Sequence, residues 1–341
     1  MRWREIIAGL ASAAVAACSG GAASGGADCG PTVVSTFPEY VGVASMAVVG
    51  DDVFWAAYER ETVDSCAGGL FSAPRGGGAP VKVDAGCAQS IAFDADRVFW
   101  TDLAPVIGKG ALWSRSRSSG TSTQLAQDVN FMGVASGPQA VYAISVSSDL
   151  TSSLVQYDPA GGSPQKLQTI SSLVDKASFR GPIAADATSV YWTRSVVSGN
   201  PRTDILKMDA SGGPVRVLAS TSDILVWRMV IDANRLYWNT WRGGGDPGYG
   251  FGLGPVMSIP LSGGEPTQLV PDGSPGGFVV DSTYLYWTDL TPKRTSIKKV
   301  PLAGGSPVTI VDDAGGLTTD IAIDDRFLYY SNSLQLYRVC K

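Results

Sequence analysis

The sequence predicts an all-β fold built from seven copies of one four-stranded unit, and three observations support this prediction. A short aromatic core recurs along the chain, and the middle residues of successive cores are 43 to 49 residues apart. A glycine-rich turn followed by Pro and an apolar run comes after five of the cores. Gly (41) and Pro (20) separate short apolar runs, as in proteins with many strands and tight turns.

Each unit is expected to contain four strands, A to D. In the sixth unit, A is Gly277–Val280, B is Leu285–Thr288, C is Ser296–Leu302 and D is Val308–Val311. These segments are rich in β-branched and aromatic residues and are bounded by Gly, Pro and Asp. The seven cores, each in a B strand, are Val53-Phe54-Trp55, Val98-Phe99-Trp100, Val141-Tyr142-Ala143, Val190-Tyr191-Trp192, Leu236-Tyr237-Trp238, Leu285-Tyr286-Trp287 and Leu328-Tyr329-Tyr330.

An Asp stands five positions before the middle residue of five cores. Its side chain is expected to cap the tight turn between strands A and B, because Asp carboxylates accept hydrogen bonds from nearby backbone amides. A calcium site is the alternative, if several of these carboxylates converge. The five residues are Asp94, Asp186, Asp232, Asp281 and Asp324.

A period of this length with four strands per unit is typical of a β-propeller, whose blades pack face to face around a central channel. Tyr286-Trp287-Thr288-Asp289 reads YWTD, and Phe99-Trp100-Thr101-Asp102 is a close variant. The repeats therefore resemble the YWTD-type propellers of low-density-lipoprotein-receptor ectodomains and of bacterial lipoproteins. Receptor propellers of this type have six blades, so six is the alternative to the seven cores found in this chain.

The seventh unit supplies strands A to C between Thr319 and Cys340 but no D strand. Gly30–Val34, near the start of the chain, matches the beginning of a D strand. An N-terminal strand that completes the last blade would remove an open sheet edge. In this alignment Cys29 and Cys340 flank one tight turn, and they are expected to form a disulfide bond.

Cys66 and Cys87 are expected to form a second disulfide bond. Cys66 lies in the B–C loop of blade 1 and Cys87 in the connector to blade 2, and both segments emerge on the same face of a propeller. Paired cysteines indicate an oxidising compartment, and free buried thiols are the alternative. No metal site is expected, because four widely separated cysteines without histidine show no ligand spacing.

Residues 1–17 are predicted to be a signal peptide, with a basic start and a short apolar run. The run ends in Val15-Ala16-Ala17-Cys18, which resembles the lipobox of bacterial lipoproteins. The resemblance implies that Cys18 is the mature first residue and carries acyl chains that anchor the protein at the cell envelope. Residues 18–29 are expected to form a flexible tether and residues 30–341 the propeller. Ser19 permits sorting to the outer membrane. The alternative to a lipoprotein signal is an ordinary secretory signal.

The composition limits the classes of function. The formal net charge is −5 and no basic cluster stands out, so nucleic-acid binding is not expected. The chain has no histidine, which removes the commonest general base and metal ligand. No cofactor is expected, and the protein is expected to be a monomer.

The long B–C loops are the expected place for a function, because rigid scaffolds commonly present binding residues on loops. Asn239–Gly254 is the most distinctive loop, since it combines aromatic and charged residues with many glycines. Such residues suit a protein, peptide or carbohydrate ligand; flexible filler over the channel is the alternative. The candidate ligand-binding residues are Trp241, Arg242, Asp246, Tyr249 and Phe251, and Tyr58, Glu59, Arg60, Glu61, Lys293 and Arg294 are expected at the same rim.

Two functions of different classes fit these observations. The first is a non-catalytic binding or scaffolding propeller that is anchored in the membrane and contacts its partner through the B–C loops. The second is a propeller hydrolase or lyase with carboxylates at the channel mouth. The candidate carboxylates for the second are Asp102, Asp289, Glu59 and Glu61, which form no recognisable catalytic pattern.

Overall fold

The computed structural model places seven antiparallel four-stranded sheets in a ring, so the fold is a seven-bladed β-propeller. The expectation of seven blades is confirmed, and the six-bladed alternative is wrong. Residues 1–28, with the predicted signal peptide and Cys18, lie outside the described residues. The described residues are 29–37, 42–59, 67–84, 86–102, 109–128, 130–199, 201–223, 225–242, 252–271, 275–291, 294–316, 318–332 and 334–341.

The strands are short and follow one another in sequence order in blades 1 to 6, whereas blade 7 takes its fourth strand, β1, from the start of the propeller. Blades 1 to 4 comprise β2 (Gly42–Val49), β3 (Asp52–Glu59), β4 (Ala67–Pro74) and β5 (Val81–Asp84); β6 (Ala88–Phe93), β7 (Arg97–Asp102), β8 (Ala111–Ser116) and β9 (Ser122–Gln127); β10 (Asn130–Ser136), β11 (Val141–Val146), β12 (Thr151–Tyr157) and β13 (Gln165–Ser171); and β14 (Ala177–Ala185), β15 (Ser189–Val196), β16 (Arg202–Asp209) and β17 (Arg216–Thr221). Blades 5 to 7 comprise β18 (Leu225–Ile231), β19 (Arg235–Trp241), β20 (Val256–Pro260) and β21 (Thr267–Val270); β22 (Pro275–Val280), β23 (Tyr284–Leu290), β24 (Thr295–Pro301) and β25 (Val308–Val311); and β26 (Ile321–Ile323), β27 (Phe327–Ser331), β28 (Gln335–Cys340) and β1 (Thr32–Thr36).

The first strand of each blade lines the central channel. Each of these strands contacts the first strands of both neighbouring blades, from β2 round to β26 and back to β2. One helical turn, α1 (Ser172–Asp175), lies in the connector from blade 3 to blade 4. Within the described part of the chain, no helix has the length and apolar character needed to span a bilayer.

The ring closes through an N-terminal strand, as the sequence predicts. Strand β1 pairs antiparallel with β28, and Thr32 lies opposite Arg338. Cys29 and Cys340 are both disulfide-bonded, in agreement with the expected pair. Cys87 is disulfide-bonded too, and its expected partner, Cys66, falls outside the described residues.

The aromatic cores form the contacts between blades. In each core the middle residue packs toward the following blade and the third residue packs toward the preceding one, so that Tyr142 of blade 3 and Trp192 of blade 4 share one apolar cluster. The same pairing closes the ring, where Tyr329 of blade 7 meets Trp55 of blade 1. These side chains are buried, and they therefore hold neighbouring blades together rather than a ligand.

The third blade departs from this rule without losing its strands. Its core has Ala143 in place of an aromatic residue, and the strand β11 that contains it is regular and fully paired. Phe131 and Tyr157 of the same blade occupy the cluster with Ala143, their ring centroids 6.4 Å apart. Two aromatic rings from strands A and C thus replace the missing one from strand B.

The A–B and C–D turns form one face of the propeller, which we call the turn face. In blade 5, Asp232 Oδ1 accepts hydrogen bonds from the amides of Asn234 and Arg235 at 2.7 Å, and Oδ2 accepts one from the Tyr237 hydroxyl at 2.7 Å. This arrangement confirms the predicted capping role of the recurring Asp. The same two-amide cap is made by Asp94, Asp186, Asp281 and Asp324.

Candidate binding face

The B–C loops and the connectors between blades form the opposite face, which we call the loop face. Trp241 and Arg242 lie at the end of β19 on this face. Trp241 is half-buried, since it pairs with Leu225 and forms a bridge with Leu253. Arg242 is exposed, and its Nε lies 3.3 Å from Asp223 Oδ1. The other three candidates, Asp246, Tyr249 and Phe251, are outside the described residues.

Most of the other residues expected at this rim lie outside the described residues. Arg60, Glu61 and Lys293 fall outside the described residues, as do the side chains of Tyr58 and Glu59. Arg294 lies on the loop face and pairs with Asp312, and both side chains are at least half exposed.

Exposed apolar side chains are concentrated on the loop face of blades 3 and 4. Leu150, Leu173, Val174 and Val197 are exposed there, and Val174 and Val197 are 78% and 68% exposed. Backbone hydrogen bonds join their segments: the amide of Ser172 donates to the Leu150 carbonyl at 3.3 Å, and that of Val197 donates to the Lys176 carbonyl at 2.9 Å. The segments that carry these four exposed residues are therefore neighbours on the loop face, and we call the four residues the blade 3/4 patch.

The backbone of this patch is strained. Leu150 has φ of +62° and Lys176 has φ of +52°, in the left-handed region that disfavours side chains with a Cβ. A bulky leucine in this conformation is unusual, because glycine or asparagine would fit at lower energy. Strain of this kind is found more often at functional sites than elsewhere.

An exposed aromatic side chain, Trp227, lies on an innermost strand. Trp227 is the extra residue of a β-bulge in β18, between Val226 and Arg228, and is 55% exposed. Met132 occupies the equivalent bulge in β10 and is exposed too. Trp227 is not among the candidates from the sequence, because the pattern of Leu225–Ile231 predicts an ordinary buried strand. Its one usable signal is an Arg beside a Trp in the middle of an apolar run.

Two carboxylates, Asp320 and Asp289, each form an ion pair with a cationic side chain. Asp320, in the connector that leads into β26, is fully buried and lies 2.6 Å from Arg228 Nη1; it also accepts the Met46 amide at 2.8 Å. Burial raises the pKa of Asp320, and Arg228 opposes this effect. Asp289, a catalytic candidate, is 2.5 Å from Lys298 Nζ. The contacts of Asp320 bridge blades 5, 7 and 1 and thus belong to ring closure.

Asp102 is the exception among the candidate carboxylates. It accepts a hydrogen bond from the amide of Cys87, and Asp84 lies nearby. Burial, assisted by the charge of Asp84, raises its pKa to about 6, although the hydrogen bond from Cys87 lowers it.

Within the described part of the chain, no group of three or more acidic or cysteine side chains could hold a metal ion.

Comparison with known proteins identifies the class of protein and no particular family. No family model and no curated protein matches the sequence. The β-propeller domain of the Trilobed protease from Pyrococcus furiosus is similar, with a TM-score of 0.63 and 9% identity over 88% of this chain and 96% of that one. Virginiamycin B lyase from Staphylococcus aureus has a TM-score of 0.61 and 10% identity over 92% and 99%.

These likenesses show the fold alone. A nidogen/laminin complex is less similar in structure, with a TM-score of 0.47. The identity is 20% over 66% of this chain and 82% of that one. The propeller implied by the YWTD-like repeats is thus confirmed. The bacterial lipoprotein part of that resemblance stays a prediction.

Proposed function

We propose that this protein is a non-catalytic binding propeller of the bacterial cell envelope, anchored through a lipid on Cys18, that holds a partner on its loop face. The observation that carries this proposal is the concentration of exposed apolar side chains on one sector of that face, including Leu173, Val174 and Val197. Contiguous exposed apolar surface on a soluble domain is typical of an interaction site. Trp241 and Arg242 belong to the same face.

The direction of β1 shows at which face the chain enters the propeller. Thr32 pairs with Arg338, near the C–D turn position, and Thr36 pairs with Gln335, which follows the B–C loop of blade 7. The chain therefore enters the propeller from the turn face. A lipid on Cys18 would therefore be joined to the propeller by way of the turn face, and the attachment leaves the loop face free for a partner.

The pairing of the carboxylates favours binding over the alternative, a hydrolase or lyase. A general acid or base needs a carboxyl group that is free to exchange a proton with a substrate. Asp289 and Asp320 each lie against a cation. Asp102 has the raised pKa of an acid catalyst, but one of its oxygens accepts the Cys87 amide.

Site-specific photocrosslinking of the lipidated full-length protein in intact envelopes tests the proposal. A photoreactive amino acid at Val197, on the loop face of blade 4, is expected to give a discrete adduct. The matched control is Val215 in the C–D turn of the same blade, which is exposed on the turn face and is expected to give none. Adducts at Val215 alone, or no adduct from Val197 and other loop-face positions, would overturn the proposed function.

A further inference from the structure

Two arginines beside the blade 3/4 patch share one buried carboxylate. Asp204 in β16 has a side chain that is 1% exposed. Its Oδ2 accepts Nη2 of Arg194 at 2.7 Å, and its Oδ1 accepts Nε of Arg202 at 2.9 Å and the hydroxyl of Ser220 at 2.7 Å. Both oxygens of the carboxylate are therefore fully used.

The arginine pair carries an excess positive charge and unused donors. The side chains of Arg194 and Arg202 are 29% and 38% exposed, so their guanidinium groups reach solvent. Hydrogen bonds from Arg194, Ser220 and Arg202 hold the pKa of Asp204 below its ordinary value, although burial alone would raise it. Asp204 thus stays ionised at neutral pH, and two cations share one anion. Each guanidinium has five N–H donors, and Asp204 occupies only some of them.

The arginine pair faces the cleft between blades 3 and 4. Side chains alternate along a strand, so Arg194 lies on the same sheet face as Trp192, and Asp204 lies on the same face as Leu206. Trp192 and Leu206 pack in one cluster with Tyr142 of blade 3. The pair therefore lies on the side of blade 4 that faces blade 3, at its loop-face end.

The blade 3/4 patch lies at the same end of these blades. Arg202 is paired with Val196 across β15 and β16, and Val197 is the next residue. The amide of Val197 bonds to Lys176, which directly follows the helical turn that carries Leu173 and Val174. The arginine pair and the blade 3/4 patch thus lie at the same, loop-face end of blades 3 and 4.

Three other charged groups that are described on this surface, Asp149, Asp175 and Lys176, are engaged in local structure. Asp149 accepts the amide of Thr151 and the hydroxyl of Ser147. Asp175 accepts the amide of Ser171, and Lys176 Nζ donates to the Leu173 carbonyl at 2.8 Å. The arginine pair therefore presents donors that a partner's carboxylate can reach.

We propose that the blade 3/4 patch and the arginine pair together bind an extended peptide segment of a partner protein that carries both apolar and acidic side chains. The inference rests on the proposed function and names the partner chemistry of the same face. The guanidinium groups donate hydrogen bonds to the carboxylate of the peptide, because charge-assisted hydrogen bonds of this kind are strong and directional. Leu173, Val174 and Val197 accept the apolar side chains.

Fluorescence anisotropy with the detergent-solubilised full-length protein tests the inference. The probes are three labelled synthetic octapeptides, one alternating Leu and Glu, one alternating Leu and Lys, and one alternating Ser and Glu. The Leu–Glu peptide is expected to bind at least about tenfold more tightly than the other two, because only it satisfies both halves of the surface.

Substitutions on the surface are expected to weaken that binding while the fold is retained. Arg202→Gln leaves the Arg194–Asp204 pair in place, and Val174→Ser changes an exposed side chain, and each is expected to raise the Kd of the Leu–Glu peptide about tenfold. The matched controls are Arg294→Gln and Leu334→Ser, an exposed arginine and an exposed leucine on the loop face of other blades. These controls are expected to change the Kd less than about twofold.

Three outcomes would overturn the inference. The first is no binding of the Leu–Glu peptide, and the second is an equal loss in the control variants. The third is full displacement by a tri-uronate together with no effect of Val174→Ser, which would assign the surface to an acidic saccharide. If the peptide fails while Val197 still gives its photocrosslinked adduct, the proposed function stands and only this inference is lost.

Discussion

The two faces of the propeller are built by opposite means. On the turn face, blade after blade repeats one device, an Asp that caps its own turn through two backbone amides, as Asp232 and Asp281 do. On the loop face, as far as its residues are described, exposed apolar side chains occur beside strained backbone. The three non-glycine residues with positive φ among the described residues all lie on the loop face and are Asp128, Leu150 and Lys176.

This difference separates the part of the molecule that stabilises the ring from the part that is free to vary. Residues that agree with every local rule contribute stability, whereas violations of those rules without compensation are expected at functional sites. Leu150 and Val174 violate them, because one is strained and the other exposes an apolar side chain. The expected effects of five substitutions, from the largest to the smallest, test whether this division holds.

Stability is not expected to depend on the turn face alone, and Asp320 tests this. It lies at the loop-face end of the channel, and Asp320→Asn would leave Arg228 without its carboxylate partner. We expect a loss of about 3 kcal/mol in the free energy of unfolding, as for other broken buried ion pairs. Urea denaturation measures this loss. The control is Asp312→Asn, which breaks the exposed ion pair with Arg294 and is expected to reduce the free energy of unfolding by less than about 1 kcal/mol. Equal losses in the two variants would contradict the assignment.

The turn-face caps are expected to differ in strength according to the core residue that follows. Asp232→Ala removes the hydrogen bonds from two backbone amides and from the Tyr237 hydroxyl. We expect the free energy of unfolding to fall by about 2 kcal/mol. Asp94→Ala is the matched control, because blade 2 has Phe99 in place of the tyrosine, and the loss should be about 1 kcal/mol smaller. Thermal and urea unfolding measure the difference. Identical losses would show that the hydroxyl bond adds no stability.

The two faces are expected to respond to pH with opposite signs. Burial raises the pKa of Asp102, on the loop face, to about 6. The folded state then binds a proton more tightly than the unfolded state, so its stability falls as pH rises from about 4 to about 6. Asp102→Asn, which keeps an acceptor for the Cys87 amide, is therefore expected to gain about 1 kcal/mol relative to wild type over that range, allowing for partial exposure.

Asp324, on the turn face, provides the opposite case. Hydrogen bonds from Phe327 and Arg326 hold its pKa below the ordinary value, against the effect of burial. Its stabilisation is present above the unfolded pKa and is lost as pH falls, so Asp324→Asn should lose stability relative to wild type as pH rises from acid to neutral. Urea unfolding between about pH 3 and pH 8 measures both variants. Parallel pH profiles for the two variants would contradict the contrast.

Leu150 is expected to show the smallest effect, a gain in stability. Leu150→Asn places a residue that tolerates the left-handed conformation where φ is +62°, and should stabilise the fold by about 0.5 kcal/mol. Leu334→Asn is the control, because that leucine is exposed on the same face without a positive φ. A gain in stability combined with a weaker photocrosslink at Val197 would show that the strain serves binding. A loss of stability would show that Leu150 is held by contacts that outweigh its strain.

The sequence predicted the ring more completely than it predicted the surface. The strands of the sixth unit are found within a few residues of the expected bounds, since Leu285–Thr288 lies inside β23 (Tyr284–Leu290). Even the degenerate core at Ala143 forms a regular strand. Repetition makes this possible, because each copy is an independent observation of one pattern.

The candidate site was predicted less well, because it depends on a single copy of each segment. Trp241 and Arg242 are on the expected face, but Arg242 is paired with Asp223, from a connector that the sequence did not link to it. The bulge that exposes Trp227 and the carboxylate that joins Arg194 to Arg202 were both missed. Neither leaves a periodic signal, since each arises where strands or blades meet.

The sequence by itself determined the all-β class, the seven blades, the closing N-terminal strand and the capping role of the repeated Asp. Only the tertiary structure decided which side chains share a surface, because Arg194, Val174 and Leu150 come together through the packing of blade 3 on blade 4. The physical reason is one of range. Turns and strands follow from hydrogen bonds and apolar periodicity over a few residues, whereas a binding surface follows from contacts between segments that no local pattern connects.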